Sequence, residues 1–178
     1  EATEETGATF IANALIKSTA VAAHAPMGSK VLADDSGFCL NGVDWGEFEE
    51  LNVPGAEAGV FPGVYTKRFV KKISPEKMDY ADAFHWISDH CGGIRQAYYE
   101  CAIALTHVGD LLESIVVSGQ VKGDFTMPPR YGDTGFGFDP VFRPEGHSRT
   151  YSQMQPEEKA ANSHRAVAVQ KIRQLFTD

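Results

Sequence analysis

Two adjacent carboxylates follow a short apolar run in the stretch VLADDSG, residues 31–37. The run predicts a short buried strand from Val31 to Ala33, which places Asp34 and Asp35 at its carboxyl end. A carboxylate in that position loses hydration, so it needs a cation, hydrogen bonds or a metal ion. Asp, Ser and Gly are also the usual residues of turns, and this stretch taken alone favours a simple turn.

Three other stretches carry side chains that suit a flat, anionic ligand. GFGFDP (residues 135–140) can offer a stacking ring, close backbone approach and a hydrogen-bond acceptor. EEKAANSHR (157–165) places Lys159 and His164 near the start of a helix, and FPGVYTKRF (61–69) adds a lysine and an arginine. Taken alone, GFGFDP is a weak signal that also suits a loop held by two core phenylalanines, and EEKAANSHR is more typical of a solvated helix face.

Composition limits the class of protein. The chain has 178 residues, 43% of them hydrophobic, which is enough for a single domain over residues 1–178. A net charge of −8 argues against binding to a nucleic-acid backbone. Cys39, Cys91 and Cys101 are scattered and predict reduced core thiols rather than a catalytic cysteine. Without a signal peptide or an apolar run of about 18 residues, we expect a soluble cytoplasmic protein with no membrane contact.

Helix and strand signals alternate along the chain and predict an α/β fold. Asn13 and Lys17 would lie one turn apart on the outer side of the first helix. Three helices are predicted. The first runs from Thr9 to Ala23, and the last runs from Pro156 to about Phe176. The middle helix is predicted to begin with a cap at Ser74 and to end at Gly92-Gly93, with an apolar stripe formed by Tyr80, Phe84, Ile87 and Cys91. The predicted hairpin joins Ala97–Thr106 to Glu113–Val121, and the predicted loops are Gly42–Gly63 and Gly123–Pro140.

Taken together and in this order, these stretches resemble the inosine triphosphate pyrophosphatase family, which hydrolyses non-standard purine nucleoside triphosphates such as ITP, dITP and XTP. The resemblance covers nearly the whole chain, through EETGATFIANALIK, ADDSG, PGVYTKRF, GFGFDPVF and EEKAANSHR. It favours a functional acidic pair over a turn. It implies an α/β fold with a mixed, elongated β-sheet flanked by helices, two lobes around a central nucleotide cleft, and a homodimer.

The resemblance also implies a metal ion, because attack of water on a triphosphate needs charge neutralisation. By match, Glu5 and Asp35 would hold Mg²⁺. Asp35 would also help to activate the attacking water, and Asp34 is the neighbouring catalytic candidate. Glu4 stays open as an alternative ligand.

Substrate contacts follow from the same match. The residues that would touch the nucleotide are Lys17, Ser36, Phe136, Gly137, Phe138, Asp139, Lys159, His164 and Arg165. The two lysines would meet phosphate or base oxygens, and Ser36 would donate to a phosphate. Phe136 would stack on the purine, and Asp139 would bond to the base or the sugar. His164 and Arg165 would read the 6-oxo edge, which favours hypoxanthine and xanthine over adenine.

The chain departs from the family pattern in two respects. Family members begin with a strand and an SGN or TGN loop followed by lysine, and this sequence contains no such motif. We therefore expect weaker hydrolysis than from a chain extended by that segment. The connection Asn41–Val60 is longer and more acidic than usual. Two alternatives stay open: a nucleotide-binding protein with weak or lost hydrolysis, and a pyrophosphatase for pyrimidine or modified nucleotides, which the SHR match disfavours.

Overall fold

The computed structural model describes residues 3–92 and 95–176. Within these residues five strands and several helices alternate, which confirms the α/β class. The strands are β1 (Lys30–Asp44), β2 (Val60–Pro62), β3 (Arg95–Val108), β4 (Leu112–Phe125) and β5 (Phe142–Pro144). The α-helices are α1 (Phe10–Ala22), α2 (Thr66–Ile73), α3 (Tyr80–Cys91), α4 (Pro156–Ala161) and α5 (His164–Gln174). Among the helices described, none is long and apolar enough to span a membrane.

The strands form one sheet with the order β2–β1–β3–β4–β5, and each neighbouring pair is antiparallel. Helices cover both faces because small side chains allow close approach. α1 packs against Ala102 and Ala104 of β3. On the opposite face α5 packs so closely that a Cβ added to Gly119 would lie 2.3 Å from the Ala168 nitrogen. The sheet is therefore the middle layer of a helix–sheet–helix stack.

β1 extends through the acidic pair, so the expected turn and the expected end of the strand at Ala33 are both wrong. Asp34 pairs with Ile103 and Asp35 with Ala102 in an unbroken ladder with β3. Residues 31–33 do lie in a strand, as expected, but they are not buried, because Leu32 is 56% exposed. Successive side chains of a strand point to opposite faces, so the two carboxylates lie on opposite sides of the sheet.

The first helix and the hairpin are confirmed, with α1 capped by Thr9, whose hydroxyl accepts from the Ala12 nitrogen at 3.1 Å. The predicted start of α3 is wrong. Its cap is Asp79, whose carboxylate accepts from the Ala81 nitrogen, whereas Ser74 follows the end of α2. Gly92 ends the helix as expected, and Gly93 lies outside the described residues.

The segment between β1 and β2 is not the long loop that its glycine, proline and acid content predicted. Residues Trp45–Leu51 form a 3₁₀ helix with a capping box between Asp44 and Glu47. Trp45 is 1% exposed and packs on Phe61, 4.8 Å between ring centroids. Burial of such aromatic rings contributes roughly 1.5–3 kcal/mol each, so the segment belongs to the core.

The single helix predicted at the end of the chain is in fact two helices, because the helical conformation is interrupted between Ala161 and His164. Ser163 takes extended backbone angles and caps α5, where its hydroxyl accepts from the Ala166 nitrogen at 3.1 Å. Serine competes for backbone donors inside a helix and is favoured at its start. The break places His164 and Arg165 in the first turn of α5.

Candidate active site

A cavity of about 780 Å³ lies across β1, α1 and the two C-terminal helices. Its volume falls in the range of small-molecule sites. Each sequence-predicted site residue lines it: Glu5, Lys17, Asp34, Asp35, Ser36, Phe136, Gly137, Phe138, Asp139, Lys159, His164 and Arg165. The structure therefore brings together motifs that are up to 160 positions apart in the chain. The chemical roles assigned to these residues stay predictions.

One end of the cavity holds a lysine between two carboxylates. Lys17 Nζ donates to Glu5 Oε1 and to Asp35 Oδ1, each at 2.9 Å. Asn13, which is 2% exposed, donates its Nδ2 to Asp35 Oδ2 at 3.1 Å. Its Oδ1 accepts from the Gly7 nitrogen at 2.8 Å, which ties the N-terminal segment to α1. These contacts fix both oxygens of Asp35.

Burial and pairing act in opposite directions on this cluster. Burial raises the pKa of Asp35, although hydrogen bonds from Lys17 and Asn13 oppose the shift. Burial would lower the pKa of Lys17, but hydrogen bonds and the negative charges of Glu5 and Asp35 raise it overall. The lysine therefore stays protonated at neutral pH, and two carboxylates share its single positive charge.

This donor set fits a divalent metal ion that arrives with a phosphorylated ligand. Within the described residues no three His, Cys, Asp or Glu side chains cluster as a metal site. Mg²⁺ does not need such a cluster, since it is usually held by one or two carboxylates together with waters and substrate phosphates. Glu5 and Asp35, joined through one ammonium group, are suitable protein ligands of this kind.

Asp34 faces away from this cluster and contacts α5. Arg165 Nε donates to Asp34 Oδ2 at 3.0 Å, and the same guanidinium donates to Ser36 Oγ at 3.0 Å. Cys101 lies beneath the carboxylate, with its sulfur 3.8 Å from Asp34 Oδ2. The geometry thus separates the two neighbours: Asp35 belongs to the lysine cluster, and Asp34 orients Arg165.

The glycine-rich loop places its two phenylalanines in different environments. Phe136 is 74% exposed at the cavity, whereas Phe138 is 2% exposed and stacks on Phe38 at 4.5 Å. Lys159 Nζ lies 5.0 Å from the centroid of the Phe136 ring. Gly135 has a φ of +102°, and a Cβ there would lie 2.9 Å from the Asp139 carboxylate. Glycine at this position lets the loop close over Asp139 and present one exposed ring.

Asp139 is 2% exposed, and its carboxylate is engaged within the protein. Oδ2 accepts from the Phe136 nitrogen at 2.8 Å and forms an ion pair with Lys159. Oδ1 accepts from the Tyr99 hydroxyl at 3.2 Å. Both oxygens are therefore paired, and they hold the phenylalanine loop and Lys159 in place.

His164 is buried at the same end of the cavity, with 7% of its surface exposed. Its ring stacks on Tyr99, with 4.9 Å between centroids and 13° between planes. Burial lowers its pKa to about 4, and the charges of Arg165 and Lys159 act in the same direction. Nδ1 has no hydrogen-bond partner within residues 3–92 and 95–176. A neutral imidazole can donate from one ring nitrogen and accept at the other, so it is suited to a contact with an uncharged part of a ligand.

Sequence reasoning missed the supports of this site. Tyr99 lines the cavity, but it sits in β3 among alternating apolar residues and carries no motif. Arg68 was noted only as a charge; its guanidinium donates to the Pro54 carbonyl at 3.0 Å and to the Glu5 carbonyl at 3.3 Å. The helical spacing of Asn13 and Lys17 was the one signal that pointed to such a support.

Comparisons with known proteins find similarity over nearly the whole chain. A model of the Ham1 family matches residues 1–175. A protein from Rhodospirillum centenum named dITP/XTP pyrophosphatase is 38% identical over 176 residues, which cover 95% of this chain and 74% of that protein. The solved Ham1 protein of Staphylococcus aureus has a TM-score of 0.75 at 29% identity, covering 99% of this chain and 80% of that one. A HAM1 protein from Coxiella burnetii has a TM-score of 0.72 at 30% identity, with 98% and 79% covered.

Proposed function

Because the chain belongs to the Ham1 family, we propose that it hydrolyses non-standard purine nucleoside triphosphates (ITP, dITP and XTP) to the monophosphate and pyrophosphate. Family membership confirms the resemblance to inosine triphosphate pyrophosphatases. The observation that carries the proposal is one cavity that is lined by a carboxylate–lysine cluster, by the exposed ring of Phe136 and by the neutral His164. The cluster suits phosphates, and the exposed ring and the histidine suit a purine.

In the proposed reaction, a water oxygen attacks the α-phosphorus and the bond from that phosphorus to the bridging oxygen breaks. Asp35 takes the proton of the water, and pyrophosphate leaves with the electrons of the broken bond. A carboxylate whose pKa is raised by burial is a stronger base than a solvated aspartate. Lys17 places a positive charge beside this carboxylate and opposite the phosphates.

The metal ion would be Mg²⁺, held by Glu5 and Asp35. When bound, it would neutralise phosphate charge and polarise the attacking water. The protein's own contribution is to hold the two carboxylates close to one cation. Asn13 fixes the second oxygen of Asp35, and Arg68 holds the backbone of Glu5.

Base selection would take place at the opposite end. Phe136 offers an exposed ring on which a purine can stack. Arg165 and His164, which both line this end of the cavity, would face the 6-position of the base. A donor there pairs with the keto oxygen of hypoxanthine or xanthine, whereas the amino group of adenine leaves it unpaired. We place Asp139 in support of Phe136 and Lys159, since its side chain is 3% exposed, against 13% for Asp35, and its oxygens already have partners.

The homodimer is also a proposal. Leu32, Leu105 and Ile115 lie in register across β1, β3 and β4, and the two outer residues are 56% and 48% exposed. Such an apolar row suits a second copy of the chain. Light scattering should give the mass of a dimer, and Leu32→Asp should lower it toward the monomer. A monomeric wild-type chain would contradict the proposal.

The activity is tested by incubating the purified chain with ITP, XTP, dITP and ATP, each with Mg²⁺ and each with EDTA. We expect monophosphate and pyrophosphate from the first three, little turnover of ATP, and none with EDTA. Equal rates for ITP and ATP would refute the base selectivity. Release of orthophosphate would refute the proposed site of cleavage.

A further inference from the structure

Tyr99 lines the cavity and contacts both His164 and Asp139. It belongs to β3 and is 9% exposed. Its ring is held edge-on by Phe142, with 4.9 Å between centroids and 87° between planes, and by Phe38 at 5.6 Å. These contacts fix the orientation of the Tyr99 ring. Side chains that contact the face or the hydroxyl of this ring are therefore positioned by the sheet.

The face of the ring supports His164. The two rings are 13° from parallel with 4.9 Å between centroids, and the imidazole Nδ1 has no hydrogen-bond partner in the described part of the chain, so the stack contributes to holding the ring plane. A histidine that reads a base needs a fixed ring plane, which a hydrogen bond usually supplies. In this site the stacking of His164 on Tyr99 helps to fix the ring plane.

The hydroxyl of Tyr99 supports the other half of the purine end. It donates to Asp139 Oδ1 at 3.2 Å, and Asp139 Oδ2 accepts from the Phe136 nitrogen and pairs with Lys159. Removal of the hydroxyl leaves a buried carboxylate oxygen without a donor. An unpaired buried acceptor is energetically costly, so the Asp139 side chain would rotate toward another donor. Because Phe136 and Lys159 are bound to Asp139, both would shift as well.

We propose that Tyr99 is a positioning residue for purine recognition: its ring orients His164, and its hydroxyl orients Phe136 and Lys159 through Asp139. The inference rests on the proposed function, because it names the residue that aligns the two sides of the same base pocket. Tyr99 acts through other residues and takes no part in the cleavage step. Its loss should therefore appear in KM and in base selectivity rather than in kcat.

The test compares Tyr99→Phe with Tyr98→Phe. Tyr98 is the neighbouring residue of β3, but its side chain faces α1, and it shares a hydrogen bond with Cys39. Each variant loses one hydroxyl from the same strand. We expect Tyr99→Phe to raise KM for ITP and the metal-free Kd for ITP roughly tenfold, in keeping with one lost hydrogen bond to a charged acceptor. We expect kcat to change less than about twofold, and Tyr98→Phe to match the wild type in both constants.

A double-substitution cycle separates positioning from general destabilisation. In an Asp139→Asn background, the hydroxyl of Tyr99 has lost its charged acceptor, so adding Tyr99→Phe should change Kd by less than about twofold. Wild-type Kd for ITP from Tyr99→Phe, an equal rise in Tyr98→Phe, or full additivity with Asp139→Asn would each overturn the role of the Tyr99 hydroxyl, which is the group that Tyr99→Phe removes. If the wild type binds ITP without hydrolysing it, the proposed function fails while the binding comparison still decides the role of Tyr99.

Discussion

The two neighbouring aspartates should respond very differently to the same substitution, because they lie on opposite faces of the sheet. Asp35→Asn keeps the size of the side chain and removes the charge that pairs with Lys17 and accepts the proton of water. General-base catalysis contributes about 10²- to 10⁴-fold, so kcat for ITP should fall by at least that factor. Nucleotide binding without metal should survive, since the residues of the purine end are untouched.

Asp34→Asn is the matched control. Its carboxylate pairs with Arg165, and the two side chains are 39% and 51% exposed. Exposed pairs contribute about 0.2–1 kcal/mol, which limits the loss of kcat/KM to about fivefold. The assay is steady-state pyrophosphate release, with denaturant unfolding of both variants to confirm folding. If Asp34→Asn lost as much kcat as Asp35→Asn, the assignment of the base to the lysine cluster would be wrong.

Three further outcomes are expected. Arg165→Ala should weaken kcat/KM for ITP strongly and change the low turnover of ATP little; equal losses would mean that Arg165 serves phosphate or structure. His164 has a folded pKa of about 4 against 6.5 unfolded, so the unfolded state binds more protons between these values and stability falls as pH decreases. Between pH 7 and pH 5 this histidine should lower the free energy of unfolding by about 2 kcal/mol, and His164→Gln should lose that part of the pH dependence in urea titrations. Gly119→Ala should destabilise the chain by about 1–3 kcal/mol, because the added methyl overlaps the backbone of α5 at Ala168; unchanged thermal unfolding would show that α5 can move away.

The sequence predicted those helices and strands that are determined by residues close together in the chain. α1 and the β3–β4 hairpin followed from apolar spacing and turn residues. The continuation of β1 through the acidic pair did not, because the ladder with β3 lies some 67 positions away along the chain. The 3₁₀ helix at Trp45 was missed for a similar reason: its aromatic residues are irregularly spaced, and only the partners Phe61 and Phe69 make them core.

The site was predictable where short motifs carry its residues and not where tertiary contacts do. The motifs around Asp35, Phe136 and His164 meet in one cavity, as the family resemblance implied. The sequence could not show that Asp139 turns inward, because its partner Tyr99 is 40 positions away. Nor could it separate Asp34 from Asp35, since that distinction depends on which helix covers which face of the sheet.

The central claim is that this cavity directs water to the α-phosphorus of a non-standard purine nucleoside triphosphate. The most direct measurement is hydrolysis of ITP in water enriched in ¹⁸O, followed by ³¹P NMR of the products. We expect one ¹⁸O atom in inosine monophosphate and unlabelled pyrophosphate. Label in pyrophosphate, or release of orthophosphate, would show attack at another phosphorus and contradict this claim.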